Sequence, residues 1–257
     1  MWENAVSGLD ETTEMPQRKA SKAANHPSKV KSKKPQRVPK AVIDGYQKGK
    51  ETRARILDVA LKTFGNEGFK AATTRQIADD AGVNLPAIKY YFDGKEGLYL
   101  ACAHEIAARY GRLMLPIGAT AREALASQMD RESARTHLKH VFGALADFLL
   151  GTSEVHLWTL FVQREMADPG PAFEILYTEL WKPGAELSAA LISRVLGQHT
   201  TTEEARIRAL LLISSLTAFA TGSRAAIRVL GWPDLRGERL ELIKKAIHGQ
   251  IDLIVAV

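Results

Sequence analysis

The chain has 257 residues, 46% of them hydrophobic, 25% charged, with a single cysteine and a net charge of +6. That length and composition suit a folded chain with room for two domains, and exclude a wholly disordered one. One cysteine, Cys102, excludes an internal disulfide and a multi-cysteine zinc site, leaving a small buried hydrophobe or a redox-sensing thiol. No window approaches ~18 uncharged apolar residues, so no membrane span is expected. Acidic residues at Glu3, Asp10 and Glu11 do not fit a signal peptide, and a cytoplasmic location follows.

Residues 1–50 hold 11 Lys/Arg against 5 Asp/Glu, whereas the other residues hold 24 of each. All the excess positive charge therefore precedes the main body of the chain. With Pro27, Pro35 and Pro39, few large apolar residues and no periodicity, residues 1–47 read as a disordered basic arm. Such an arm beside a DNA-binding unit adds phosphate contacts whatever the sequence; a solvated tail touching nothing is the alternative.

A first helix is expected over about Thr52–Asn66, with Ile56, Leu57, Ala60, Leu61 and Phe64 on one face, closed by the run Gly65–Gly68. The stretch TTRQIADDAGVNLPAIKYYF, Thr73–Phe92, then reads as helix, turn, helix. Thr74 is placed to cap the first of these helices, and Ile77, Ala78 and Ala81 form its buried face. Gly82 supplies a left-handed turn residue. Asn84 caps the next helix and Pro86 falls in its first turn, where a missing N–H is harmless. Ile88 and Phe92 form its inner stripe, leaving Leu85, Ala87, Lys89 and Tyr90 outside, with Tyr91 expected to pack. This is the geometry that lays one helix in a DNA major groove.

Helical patterns continue to the end of the chain, with no β-hairpin. Expected helices are Lys95–Leu113, Ser133–Leu150, Glu154–Met166, Ala172–Leu196 (kinked or divided at Pro183), Glu203–Leu230 and Leu235–Ala256, with a loop holding a short helix over Pro116–Arg131. Small residues mixed with large apolar ones between Leu211 and Ala226 suit close helix packing between two subunits.

The block RARILDVALKTFGNEGFKAATTRQIADDAGVNLPAIKYYFDGKEGLYLACA resembles the DNA-binding domain of the TetR/AcrR family of bacterial regulators, over roughly Lys50–Ala103. The runs FVQREMADPGPAFEILY, TELWKPGAELSAAL and RVLGW are similar to the C-terminal domain of CerR/CecR-type members. The resemblance implies an all-α fold: a three-helix DNA-binding domain with a helix-turn-helix over 48–96, and a helical ligand-binding and dimerisation domain over 97–257. It implies a homodimer that binds a palindromic double-stranded operator and is released by a small-molecule effector, with no cofactor and no membrane partner.

Carried onto matching positions, the DNA contacts are Thr73, Thr74, Arg75, Asn84, Leu85, Pro86, Lys89, Tyr90 and Lys95. Helix N-termini and cations suit phosphate, and Arg or Lys can also read guanine. Family members often carry a hydroxyl or small polar residue at Ala87 and an aromatic at Lys89, so the operator sequence does not carry over. The effector pocket is expected around Trp158, Phe161, Arg164, Glu165, Phe173 and Tyr177. Arg164 and Glu165 need partners if buried, so one of them is expected to face a polar ligand group. The dimer surface is expected at Leu211, Ser215, Ala218, Phe219, Gly222 and Ala226. The helix from Lys95 to Leu113 is expected to transmit ligand binding to the DNA-binding head.

Two other classes are weighed. His137 and His140, three apart on one helix, with His156 and Glu165 elsewhere, make a metal-sensing regulator the alternative. A helical enzyme is a weaker one, because no nucleophile with its base and no HExxH pattern is present.

Overall fold

A computed structural model describes residues 40–151 and 155–254, with side chains over 47–151 and 158–254. These residues form an all-α architecture: α1 (Lys40–Ala71), α2 (Thr74–Asp80), α3 (Leu85–Phe92), α4 (Lys95–Ala126), α5 (Arg131–Leu150), α6 (Val155–Ala167), α7 (Phe173–Leu176), α8 (Lys182–Val195), α9 (Glu203–Thr221), α10 (Ser223–Leu230) and α11 (Glu238–Asp252).

The helix-turn-helix forms as its sequence dictates, with one shift. Thr73, not Thr74, caps α2: its hydroxyl accepts the Gln76 N–H at 3.2 Å. A cap needs extended backbone, and Thr73 has it at φ −117°, ψ 146°, while Thr74 is already helical. Gly82 turns the chain at φ +60°, and Asn84 caps α3 by accepting the Ala87 N–H at 3.1 Å. Ile77, Ala78, Ala81, Ile88 and Phe92 are buried.

Several boundaries differ from the sequence expectation. Helix α1 begins at Lys40, inside the stretch read as a disordered arm; past Pro39 no proline interrupts it. The arm ahead of Lys40 lies outside the described residues. Gly68, at φ +80° and ψ 174°, breaks α1 where the glycine pair was expected to close it. Helix α4 runs straight through the expected loop at Pro116, because Met114, Gly118 and Ala121 continue its buried stripe at helical spacing. Leu115 and Pro116 are exposed, where water can serve the carbonyl that proline leaves unpaired. Pro183 does not divide its helix either. A wide π-helical turn, Tyr177–Trp181, precedes it, and Pro183 falls in the first turn of α8, where no donor is needed. The long helix expected over Glu203–Leu230 is instead two, α9 and α10, bent by 85° at Gly222.

Two cores result. One gathers α1, α2, α3 and the first turns of α4 around Phe64, Ile77, Ile88 and Tyr99, and includes Phe161 of α6 and Leu176 of α7. The other joins the second half of α4 with α5, α8, α9 and α11 around Leu138, Phe142, Leu191 and Ile251. Helix α4 contributes to both cores, and α6 packs mainly on α1.

At the joint between α3 and α4, a Cβ added to Gly97 would run into the Phe92 carbonyl oxygen. Gly97→Ala should therefore destabilise the protein by about 1–3 kcal/mol, measured by thermal unfolding in circular dichroism. A variant melting like wild type would contradict this close approach.

Candidate nucleic-acid interface and inner cavity

Helix α3 presents a compact exposed surface. Leu85 is 49% exposed and Tyr90 83%, and Asn84, Pro86 and Lys89 are exposed beside them. An outward-facing leucine and tyrosine on a helix of eight residues add nothing to the core beneath it. The Lys89 ammonium bonds the Asp93 carboxylate across one turn and holds that acid below the usual carboxylate range. Both groups are mostly exposed, so the pair is weak and open to exchange for another anion. Thr73 and Arg75 are exposed at the start of α2, with Thr74 half-buried. Tyr91 is half-buried, edge-on to Tyr90 with centroids 4.9 Å apart.

Lys95 is placed differently from a free phosphate ligand. Its ammonium donates to the Lys70 carbonyl at 3.3 Å and lies 4.8 Å from the Phe69 ring centroid, tying α4 to the end of α1. Sequence reasoning missed Arg53, exposed on α1, whose guanidinium stacks 4.9 Å from the Phe92 ring centroid. Lys48, Lys50 and Arg55 are exposed on the same helix, which passes Tyr91 at Gly49. The basic run at 48–55 is the signal the sequence offers for Arg53.

The pocket-wall residues fall in two places. Trp158 lines an inner cavity of about 80 Å³ between α4, α5, α6, α8 and α9, with Tyr110, Phe148, Leu149, Val162 and Trp181. The other five do not line it. Phe161 is fully buried against Tyr99, with ring centroids 4.5 Å apart. Arg164 donates to the carbonyls of Gly65 and Asn66 at 3.3 and 2.8 Å. The buried Glu165 carboxylate accepts the Tyr99 hydroxyl at 2.6 Å and the N–H groups of Gly170 and Ala172 at 3.1 and 3.0 Å. Phe173 and Tyr177 stack on each other at 5.7 Å, outside the cavity. The expectation that Arg164 or Glu165 faces a ligand is thus corrected: protein groups partner both. The reason is helical phase. Trp158, Thr159, Val162 and Gln163 look into the cavity, whereas Phe161, Arg164 and Glu165 look at the DNA-binding head.

Beside the cavity, sharing Tyr110, Met114, Val141 and Gly184 with it, lies an open groove of about 600 Å³ along α4, which also carries Arg112, Arg122 and Glu179.

The expected dimer residues also divide. Leu211 is 63% exposed and Ala218 is exposed. Ser215 bonds its own helix at the Leu211 carbonyl, and Phe219 packs on the core of its own subunit. Gly222 forms the α9–α10 bend and Ala226 is half-buried on α10. Ile207 and Leu210 on α9 are exposed as well, as is Leu242 on α11.

His137 and His140 lie on α5, and among the described residues no three metal-binding side chains converge; the side chain of His156 lies outside them. Cys102 is fully buried, and burial pushes its thiol up, with the Glu105 and Asp58 carboxylates adding to the shift. Such a thiol stays protonated and unreactive. No single helix among the described residues is long and apolar enough to cross a membrane.

Residues 56–102 match the family model described as bacterial regulatory proteins, tetR family, and residues 134–256 match the C-terminal domain of the HTH-type transcriptional dual regulator CecR. The chain is 32% identical over 209 residues to the HTH-type transcriptional dual regulator CecR of Shigella flexneri, covering 81% of this chain and 93% of that protein. It is 42% identical over 64 residues to the HTH-type transcriptional regulator RutR of Escherichia coli (strain K12), covering 23% of this chain and 30% of that one. Among solved structures, AibR in complex with isovaleryl coenzyme A and operator DNA shares the fold at a TM-score of 0.58 and 11% identity, over 77% of this chain and 97% of that one. Mycobacterium smegmatis AmtR does so at 0.54 and 17%, over 77% and 85%.

Burial also raises the pKa of the Tyr99 hydroxyl, as does its bond to Glu165. Tyr99→Phe removes one of three donors to a buried carboxylate. It should cost about 1–3 kcal/mol in denaturant unfolding, and an unchanged midpoint would contradict the role given to this bond.

Proposed function

The chain belongs to the TetR family of bacterial regulatory proteins, with a C-terminal domain of the CecR type, and on that premise we propose that it is a ligand-released repressor. Its relatives are transcription regulators, not enzymes, and its helix-turn-helix is a DNA-binding one. In the proposed cycle a homodimer occupies a palindromic operator in the cytoplasm and blocks transcription by steric exclusion. Each α3 enters a major groove, with Leu85, Lys89 and Tyr90 at base edges and phosphates. The starts of α2 and α3, at Thr73–Arg75 and Asn84–Pro86, face the flanking backbone. Arg53 joins this set from α1, and Lys95 acts by fixing α4 to α1. The apolar surface of α9 and α11 forms the subunit interface, because one short recognition helix reads too few base pairs alone.

The observation that carries release is the position of α6. One face of this helix lines the inner cavity and the other is bonded to the head through Arg164 and Glu165. At about 80 Å³ the cavity is smaller than the roughly 300–1,000 Å³ typical of ligand sites, so an effector has to spread α4, α5 and α6 to enter. Spreading them moves the head, and two recognition helices must stay ~34–36 Å apart to match one turn of DNA. An effector that prefers the mismatched state by about 1–3 kcal/mol suffices for release. Helix α4 shares this role, as expected from its sequence, and α6 adds the bonded link.

The test begins with duplex DNA selected from a random pool by the full-length protein. A palindromic consensus is expected, and no enrichment would overturn the reading. With that duplex, Lys89→Ala should cost about 1–3 kcal/mol of affinity and relax preference at one position per half-site. Unchanged affinity and preference would remove Lys89 from the interface.

A further inference from the structure

Among the described residues no charged side chain lines the cavity; its wall is apolar apart from Thr159, Gln163, Ser188, Thr217 and the Tyr110 hydroxyl. Whatever enters it must shed its water there, so that part of a ligand is uncharged and mostly apolar. The groove outside is open and also mostly apolar, but it carries three ionic side chains, Arg112, Arg122 and Glu179. Of those, Arg112 lies 3.7 Å from Glu105, and Glu179 lies 3.3 Å from His104. Arg122 has no carboxylate within ion-pair range among the described residues. Its guanidinium folds back along Gly118, beside Leu187, where a Cβ on the glycine would come within 3.2 Å of it. A cation laid against a wall of the groove and left without an acid is a seat for an anion.

Tyr110 separates the two spaces. Its ring packs edge-on to Phe148 at 5.4 Å, and a Cβ on Gly184 would come within 3.0 Å of its hydroxyl. Any side chain larger than glycine there would crowd the tyrosine hydroxyl, and Tyr110 lines both spaces.

We propose that cavity and groove form one bipartite site for an amphiphile, with a narrow apolar body held inside, an anionic head seated on Arg122, and Tyr110 as the gate between them. This names the ligand class for the effector site proposed above and rests on that reading.

Calorimetry on the full-length protein with octyl phosphate, octanoate and octan-1-ol tests it, since the three share one tail. Octyl phosphate should bind at least about tenfold more tightly than octan-1-ol. Octanoate matching octyl phosphate would assign the seat to any anion, and octanoate falling below it would assign a phosphate. Arg122→Ala should remove the advantage of the anionic probes while leaving octan-1-ol affinity and the melting temperature unchanged. Equal binding of octyl phosphate and octan-1-ol, no binding of any probe, or an advantage that survives Arg122→Ala would each overturn the proposal. DNA selection on the same preparation separates the two readings: DNA bound and amphiphiles ignored contradicts only the ligand class, and the reverse contradicts only the regulator.

Discussion

The buried carboxylate of Glu165 holds together the parts that have to act together. A lone carboxylate at 3% exposure is costly, and the structure offsets that cost with three donors: the Tyr99 hydroxyl from α4 and the backbone N–H groups of Gly170 and Ala172, just after α6. One residue earlier, Arg164 binds α1 just ahead of its break at Gly68 by donating to two of its carbonyls. Adjacent residues of α6 thus bind both helices that carry the DNA-binding head. The geometry of the head relative to the cavity follows from these few bonds and from Phe161 packed on Tyr99.

A helix bonded on one face and cavity-lining on the other behaves as a rigid coupler. Packed interiors do not deform continuously, so displacing Trp158 and Val162 from within displaces Phe161, Arg164 and Glu165 as well. The Arg109–Asp58 ion pair adds a parallel tie from α4 to α1, steadied by Glu105 one turn back on α4, with the Arg109 guanidinium 4.5 Å from the centroid of Trp158 at the cavity edge. Aromatic and ionic contacts therefore converge where the inner cavity and the helix-turn-helix head meet.

Much of the helix-turn-helix was legible in the sequence, because its signals are local. Asn84, Pro86 and Gly82 state the turn and the start of α3 within five residues, and the alternation of Ile88 and Phe92 with Lys89 and Tyr90 gives its faces. The shift of the α2 cap from Thr74 to Thr73 is the limit of that resolution, since two adjacent threonines differ only in backbone angle. The cavity was not legible for the opposite reason. Whether Phe161 or Val162 faces it depends on the phase of α6 against two other helices, and both residues are equally apolar. Proline misled at Pro116 and Pro183: the first is exposed to water and the second follows a π-helical turn, two contexts that a sequence pattern does not carry. The bend at Gly222 was hidden because small residues on either side read as one continuous helix.

The most direct measurement of the coupling is hydrogen–deuterium exchange in a variant whose cavity is filled without any ligand, Leu149→Trp. Leu149 lines the cavity and lies on α5, which contributes nothing to the core of the head. If α6 is the coupler, exchange should rise in the segment Gly65–Ala72, where Arg164 holds the end of α1, as well as around the cavity. A change confined to α5, α6 and α8, with Gly65–Ala72 exchanging as in wild type, would contradict the account.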